Sequence, residues 1–462
     1  MTADPTAPAS RLRRPLLRAA VTAAATAGLL AALAPAALAA PSDSSPAAGC
    51  HGALHLTAAG LGVGDSTDEN TGGLAGDGGT GAGADGATGR PGDWSAADAA
   101  LAGITDPGYG TSALAAVRAD GRLVWRNATG VADLAGNAPA DPRGSFRIGS
   151  ATKTFVATTL LQLVGEHRLD LDDRLECLLP GIVPNSTEIT VRQLLDHTGG
   201  VADYTKDPAF RFDDQDWLDG RRYHSYRLQD LVDIANKYPP SFAPGQDWKY
   251  SNTDYVLIGM IIEKLTGHSW SDEVARRIIR PLRLTGTWYP GDFPLIPGPH
   301  AHGYFKLPGG PVDVTLLNPS MAGPSGGLVS TTADLTAFLR ALLGGRLLRP
   351  AELAAMERTT AHGGGQAYGL GLQRVDTPCG TFWGHSGGIP GYTTMMLGSP
   401  DGTRQFAADT TIYDVPDEAA GRAAWNKVIV TALCGPQASA AAPDLAPDLA
   451  PDLAPDLALP AP

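Results

Sequence analysis

The chain has 462 residues, with 35 Lys and Arg against 48 Asp and Glu, and a formal charge of −13. That balance argues against nucleic acid, since phosphate binding needs clustered Lys and Arg and no such cluster runs through the middle of the chain. The ten His and four Cys show neither HExxH nor CxxC spacing, so no metal or organic cofactor is expected.

Residues 1–39 read as an export signal. Arg11, Arg13, Arg14 and Arg18 form a basic head, an Ala/Leu-rich run extends to about Ala36, and Ala37-Leu38-Ala39 offers small residues for cleavage. A membrane anchor is the competing reading, disfavoured because the run is mostly Ala and ends in Pro35 and a cleavage-type triplet. The mature chain is therefore expected to be secreted, in or beyond the cell wall, with no stable membrane span once the signal is removed. Outside the cytoplasm Cys50, Cys177, Cys379 and Cys434 can be oxidised. Cys379 precedes an expected core strand and Cys434 ends the last expected helix, which favours their pairing. Cys50 with Cys177 follows by elimination, with a free buried Cys177 as the alternative.

Residues 40–92 read as a flexible Gly-rich linker, because the stretch from Gly60 to Gly92 has almost nothing large to bury. Residues 93–435 carry the patterns of one mixed α/β domain. A first helix is expected over 94–103, strands over 114–118 and 123–127 around the turn Asp120-Gly121, and a strong helix over 151–165. The section from 169 to 290 is mostly helical in pattern, and Thr190-Val191-Arg192-Gln193 has capping-box spacing. A helix over 335–343 follows, then strands over 368–374, 381–385, 393–397 and 405–411, and a last helix over 418–433. In the tail, 436–462, Pro-Asp-Leu-Ala repeats from Pro443, and Pro at every fourth position forbids a regular helix.

Three segments carry possible chemistry. In the first, Ser150 and Lys153 stand one helical turn apart, so hydroxyl and amine share a face. A serine hydroxyl needs a nearby base, a desolvated lysine can serve, and the helix N-terminus offers backbone N–H groups to an oxyanion. In the second, Tyr250-Ser251-Asn252, a loop places a phenol able to act as acid or base and an amide able to orient a substrate carbonyl. In the third, Gly384-His385-Ser386-Gly387-Gly388, small residues at a strand end let a substrate lie along the edge. There the Gly388 N–H is a second oxyanion donor, and His385 supplies a hydrogen bond or positive charge. Each motif taken alone has a structural explanation: a helix cap, an ordinary helix turn, a satisfied histidine.

Taken together and in order, Ser150-x-x-Lys153, Tyr250-Ser251-Asn252 and His385-Ser386-Gly387 resemble the three active-site motifs of the penicillin-binding protein and β-lactamase superfamily. The chain is most similar to β-lactamase-related serine hydrolases, among them class C β-lactamases and secreted actinobacterial D-alanyl-D-alanine carboxypeptidases. The segments 194–200, 322–334 and 368–372 also look familial. The resemblance implies an antiparallel sheet flanked by helices with an inserted all-helical lobe, an α/β fold with the site between its parts. It further implies an acyl-enzyme on Ser150, proton transfer by Lys153 and Tyr250, a role for His385, and substrate binding by Asn252, Ser386, Gly387 and Gly388. The expected partner is a peptidoglycan stem peptide or a β-lactam. The expected activity is a carboxypeptidase, with a class C-like β-lactamase or small-ester esterase as alternative, and a non-catalytic penicillin-sensing wall protein as an alternative of another kind. His at 385 and Ser between Tyr250 and Asn252 favour the peptidase. Gln373, standing where those carboxypeptidases have a basic residue, counts against it, since alternation sends Arg374 to the other face.

Overall fold

The computed structural model describes residues 93–435 except 107, 213–214, 308, 362–366 and 413–417. The expected signal, linker and tail all lie outside these residues. The centre of the fold is an eight-stranded sheet whose neighbours are all antiparallel. Its strands are β1 (Gly110–Ala119), β2 (Arg122–Gly130), β3 (Thr360–Ala361), β4 (Ala367–Tyr368), β5 (Gln373–Thr377), β6 (Gly380–Ile389), β7 (Tyr392–Gly398) and β8 (Arg404–Ile412). The order across the sheet is β2-β1-β8-β7-β6-β5-β4-β3, so the first and last strands of the domain pair with each other inside the β2 edge.

One face of the sheet is covered by α1 (Ser95–Thr105) and α6 (Glu418–Cys434). Leu101, Ile104, Val428 and Ile429 pack there against Val117, Trp125 and Phe406. The other face carries the larger core, built on α2 (Thr152–Gly165), α4 (Asn252–Thr266) and α5 (Thr332–Leu343), with Phe155 of α2 stacked on Phe338 of α5 at 3.7 Å between ring centroids. The helix α2 is buried along almost its whole length, including Lys153, which leaves that amine no solvent to lie in. The helical section between the sheet halves is more broken than its pattern suggests. Among its described residues, α3 (Leu228–Ala235) and α4 stand in a series of short helices, 3-10 turns and loops. The expected capping box is present: Thr190 Oγ1 accepts from Gln193 N–H, and the Gln193 side chain accepts from Thr190 N–H.

The expected strand over 368–374 divides into β4 and β5, because Gly371 between them adopts φ +75° and turns the chain. Two pairings escaped the hydrophobic pattern: Phe146–Arg147 with Val329–Ser330, and the hairpin Tyr304–Leu307 with Gly310–Asp313. The first, a two-residue ladder, is too short to show a period. Cys379 and Cys434 form a disulfide that ties the β5–β6 turn to the end of α6. Cys177 is also disulfide-bonded rather than free, while Cys50 lies outside the described residues. No helix among the described residues is long and apolar enough to cross a membrane.

Candidate active site

Ser150 sits in a 3-10 turn, Gly149–Ala151, that leads directly into α2. The turn is held from one side by the Phe146–Arg147 pairing and from the other by β6. Two glycines make that approach possible. Gly149 has φ +48°, and a Cβ there would stand 2.6 Å from the Gly388 carbonyl oxygen; a Cβ on Gly387 would stand 2.0 Å from the Ile148 carbonyl oxygen. Any side chain at either position forces β6 away from the serine turn.

One residue into α2, Lys153 projects back toward the serine. Its Nζ lies 3.1 Å from Ser150 Oγ, 2.7 Å from Asn252 Oδ1 and 2.8 Å from the Ser325 carbonyl oxygen. The ammonium satisfies all three acceptors. With one proton gone, the amine still donates to Asn252 and Ser325 and turns its lone pair to the Ser150 hydroxyl, so the pair can exchange a proton without rearrangement. Asn252 opens α4 and is held in turn by its own Nδ2, which donates to Asp203 Oδ2 at 3.2 Å. Tyr250 lies just before α4 with its ring centroid 4.7 Å from Lys153 Nζ. Ser150, Tyr250, Asn252 and Ser386 are partly exposed where Lys153 is buried, so the hydroxyl is open to a ligand and the amine is not.

Beneath Tyr250 is a buried pair that sequence reasoning assigned no role. The His197 ring packs 4.4 Å from the Tyr250 ring, with its Nδ1 2.8 Å from Asp254 Oδ2. Burial drives His197 far below the usual imidazole range, helped by the charge of Lys153, and drives Asp254 far above the usual carboxyl range. Burial thus disfavours the charged form of each, and His197 Nδ1 also receives the Ser251 N–H at 3.3 Å. The pair seats the turn that carries Tyr250.

The third motif forms the open side of the cleft. β6 pairs with β5 only from Gly380 to Gly384, whereas its pairing with β7 continues to Ile389. From Ser386 onward the edge of β6 has no neighbouring strand among the described residues. Ser386 N–H points along this edge and donates to Gln373 Oε1 at 2.9 Å. The Gly388 N–H, two residues further, lies on the same edge. An extended ligand can add to such an edge as a strand.

His385 is buried with both ring nitrogens engaged. Tyr368 O–H donates to Nε2 at 2.9 Å, and Nδ1–H donates to the Ser386 carbonyl at 2.5 Å. Burial, with the nearby Lys153 charge second, lowers its pKa to about 3. Of the two roles expected of His385, a hydrogen bond or a positive charge, the structure supports the first: it is a neutral imidazole whose hydrogen bonds order the strand edge. Arg374 does not replace that charge, being exposed and paired with Asp376 at 3.1 Å.

All the expected site residues thus converge on one cleft. Asp203, Ser325 and Tyr368 join them unpredicted; the segments around Ser325 and Tyr368 stood out in the sequence, but each contributes a contact that residue type alone does not announce. Among the described residues no group of three or more His, Cys, Asp or Glu could hold a metal ion.

The family model described as Beta-lactamase matches residues 98–431, most of the described domain. The chain belongs to the beta-lactamase family. It is similar to a solved D-stereospecific amidohydrolase from a Streptomyces species, with 38% identity, a TM-score of 0.68, and coverage of 74% of this chain and 99% of that one. A solved D-amino acid amidase from Ochrobactrum anthropi SV3 is 28% identical at a TM-score of 0.61, covering 69% of this chain and 91% of that one. Penicillin-binding protein 4 of Amycolatopsis lactamdurans is 31% identical over 267 residues, 54% of this chain and 64% of that relative, so the chain spans less than two thirds of its length.

Proposed function

We propose that the protein hydrolyses amide bonds on the carbonyl side of D-configured residues through an acyl-enzyme on Ser150. The observation that carries this reading is the fixed approach of Lys153 Nζ to Ser150 Oγ, 3.1 Å, beside an unpaired strand edge. Lys153 takes the hydroxyl proton as Oγ bonds to the substrate carbonyl carbon, and the N–H groups of Ser150 and Gly388 receive the oxyanion. The C–N bond then breaks, and the proton passes by way of Lys153 and Tyr250 to the leaving nitrogen. Water attacks the ester by the reverse route and frees Ser150. Asn252, besides holding Lys153, and Ser386 on the open edge bind the substrate's amide and terminal groups, and Gly387 keeps that edge against the nucleophile.

D-alanyl-D-alanine carboxypeptidase action on peptidoglycan stems belongs to this class of reaction, and the penicillin-binding relative supports it. The neutral edge favours a different terminus. His385 is uncharged, Gln373 occupies the Ser386 N–H and Arg374 is paired elsewhere, so none of these three offers a cation to a free carboxylate. A substrate ending in an amide or a longer peptide fits this edge better, in line with the amidohydrolase and amidase neighbours. The export-type leader and the disulfide-bonded cysteines support action outside the cytoplasm, where stem peptides and β-lactams are met.

Parallel assays of the purified protein on a D-amino acid amide, a D-alanyl-D-alanine peptide, a chromogenic cephalosporin and a short acyl ester test the proposal. The D-amide is expected to turn over fastest. Stable labelling by a fluorescent penicillin with no turnover of any of the four would instead mark a penicillin sensor.

A further inference from the structure

Away from the cleft, the fold gathers arginines that are scattered in the sequence. Arg118 near the end of β1, Arg283, Arg340 in α5 and Arg346 line one cavity of about 210 Å³ together with Pro281, Leu282 and Ala337. Arg118 is pinned in place: Nη1–H donates to the Gly121 carbonyl at 3.0 Å, Nη2–H to the Ala333 carbonyl at 3.3 Å, and Nε–H to Thr336 Oγ1 at 3.4 Å. The Arg340 guanidinium lies against the β1–β2 turn, where a Cβ on Gly121 would come within 3.0 Å of its Nη2.

We propose that this cavity is an anion site that takes a ligand bearing phosphate groups. In a chain with 48 acidic residues against 35 basic ones, carboxylates are not scarce, yet no ion pair with a described residue is recorded for Arg283, Arg340 or Arg346. Asp334, the acid whose charge acts on Arg118, is engaged by Gly286 N–H at 2.7 Å and Thr287 O–H at 2.9 Å. Burial and the neighbouring Arg340 both act against the charge on Arg118, and Asp334 offsets them only in part. An entering oxoanion relieves that repulsion, and planar guanidinium forks match the spacing of phosphate oxygens two at a time. The cavity has room for a phosphoester group rather than for a duplex or a folded partner. The absence of a basic run in the sequence is no obstacle, since the four arginines come from three separate parts of the chain.

Calorimetric titration of the full chain at low ionic strength, with pyrophosphate, glycerol 3-phosphate, citrate and a short oligonucleotide as separate probes, tests this. Phosphatidylglycerol vesicles form a further arm that tells a lipid phosphate from a soluble one. Pyrophosphate is expected to bind, to weaken as salt rises, and to lose roughly tenfold or more in affinity in R340Q and in the R283A/R346A double variant. Turnover at Ser150 is expected to stay unchanged in both. Arg283 and Arg346 are exposed, so the double variant keeps the test open if R340Q fails to fold. No pyrophosphate binding by the native chain, equal binding by both variants, or tighter binding of citrate or the oligonucleotide would overturn the proposal.

Discussion

Lys153 is the residue on which most of the site geometry depends. It is fully buried yet bonded to Ser150, Asn252 and Ser325, so its place is fixed by polar partners rather than by packing alone. Replacing it with methionine keeps the apolar stem and removes the base; K153M is expected to lower kcat by about 10²- to 10⁴-fold with the fold intact, measured by steady-state kinetics and circular dichroism. In the proposed reading Gln373, which accepts from Ser386 N–H, selects the substrate's terminus. Q373R is expected to raise kcat/KM for a D-alanyl-D-alanine peptide relative to the D-amide by roughly tenfold, by adding a charge-assisted contact to the carboxylate. An unchanged ratio would remove Gln373 from substrate choice. His385 gives a pH prediction with a definite sign. Its folded pKa of about 3 lies below the unfolded value of 6.5, so the unfolded chain binds more protons between those limits. Stability therefore falls as pH drops through that window, at up to about 1.4 kcal/mol per pH unit from this residue. Urea unfolding of H385Q between pH 4 and pH 7 is expected to give a flatter acid-side decline. His197 adds in the same direction, so the slope is reduced rather than abolished.

At the scale of elements, the contact of β6 with the serine turn decides whether the motifs meet. G387A places a methyl 2.0 Å from the Ile148 carbonyl oxygen, which must push the strand edge off Ser150. The variant is expected to lose about 1–3 kcal/mol of stability, read by urea unfolding, and a larger share of kcat than of KM. Much of this level was legible beforehand. The apolar run of α2 and the short strand-like stretches at β1, β2, β6, β7 and β8 placed these elements within a few residues, because each buries its apolar side chains against the core. The split between β4 and β5 was not legible, since Leu370 and Leu372 continue the apolar pattern through the Gly371 turn. Within the site, Ser150, Lys153, Tyr250 and Asn252 were readable only through the family resemblance that the three ordered motifs carry together. The contact of Asn252 with Lys153 was not, nor was the neutrality of His385, which depends on Tyr368 and on burial, two facts of three-dimensional packing.

Over the whole molecule, the disulfide Cys379–Cys434 closes a loop of 55 residues and ties the sheet to α6, on the side opposite the larger core. In the chain-entropy model such a loop contributes about 4 kcal/mol. The C379S/C434S variant is expected to unfold at lower urea while keeping native kcat on the D-amide, a pairing of results that separates the strut from the site. The arginine cavity shows the same limit of sequence reading at the largest scale: it is assembled by the chain's return on itself, and no local window contains it.

The central claim is a covalent one, that Ser150 carries the acyl group. Intact-protein and peptide mass spectrometry after a brief incubation with a fluorescent penicillin, native chain against S150A, tests it most directly. The account predicts a single adduct on the peptide containing Ser150, absent in S150A together with D-amide turnover. An adduct on another residue, or turnover that survives in S150A, would contradict it.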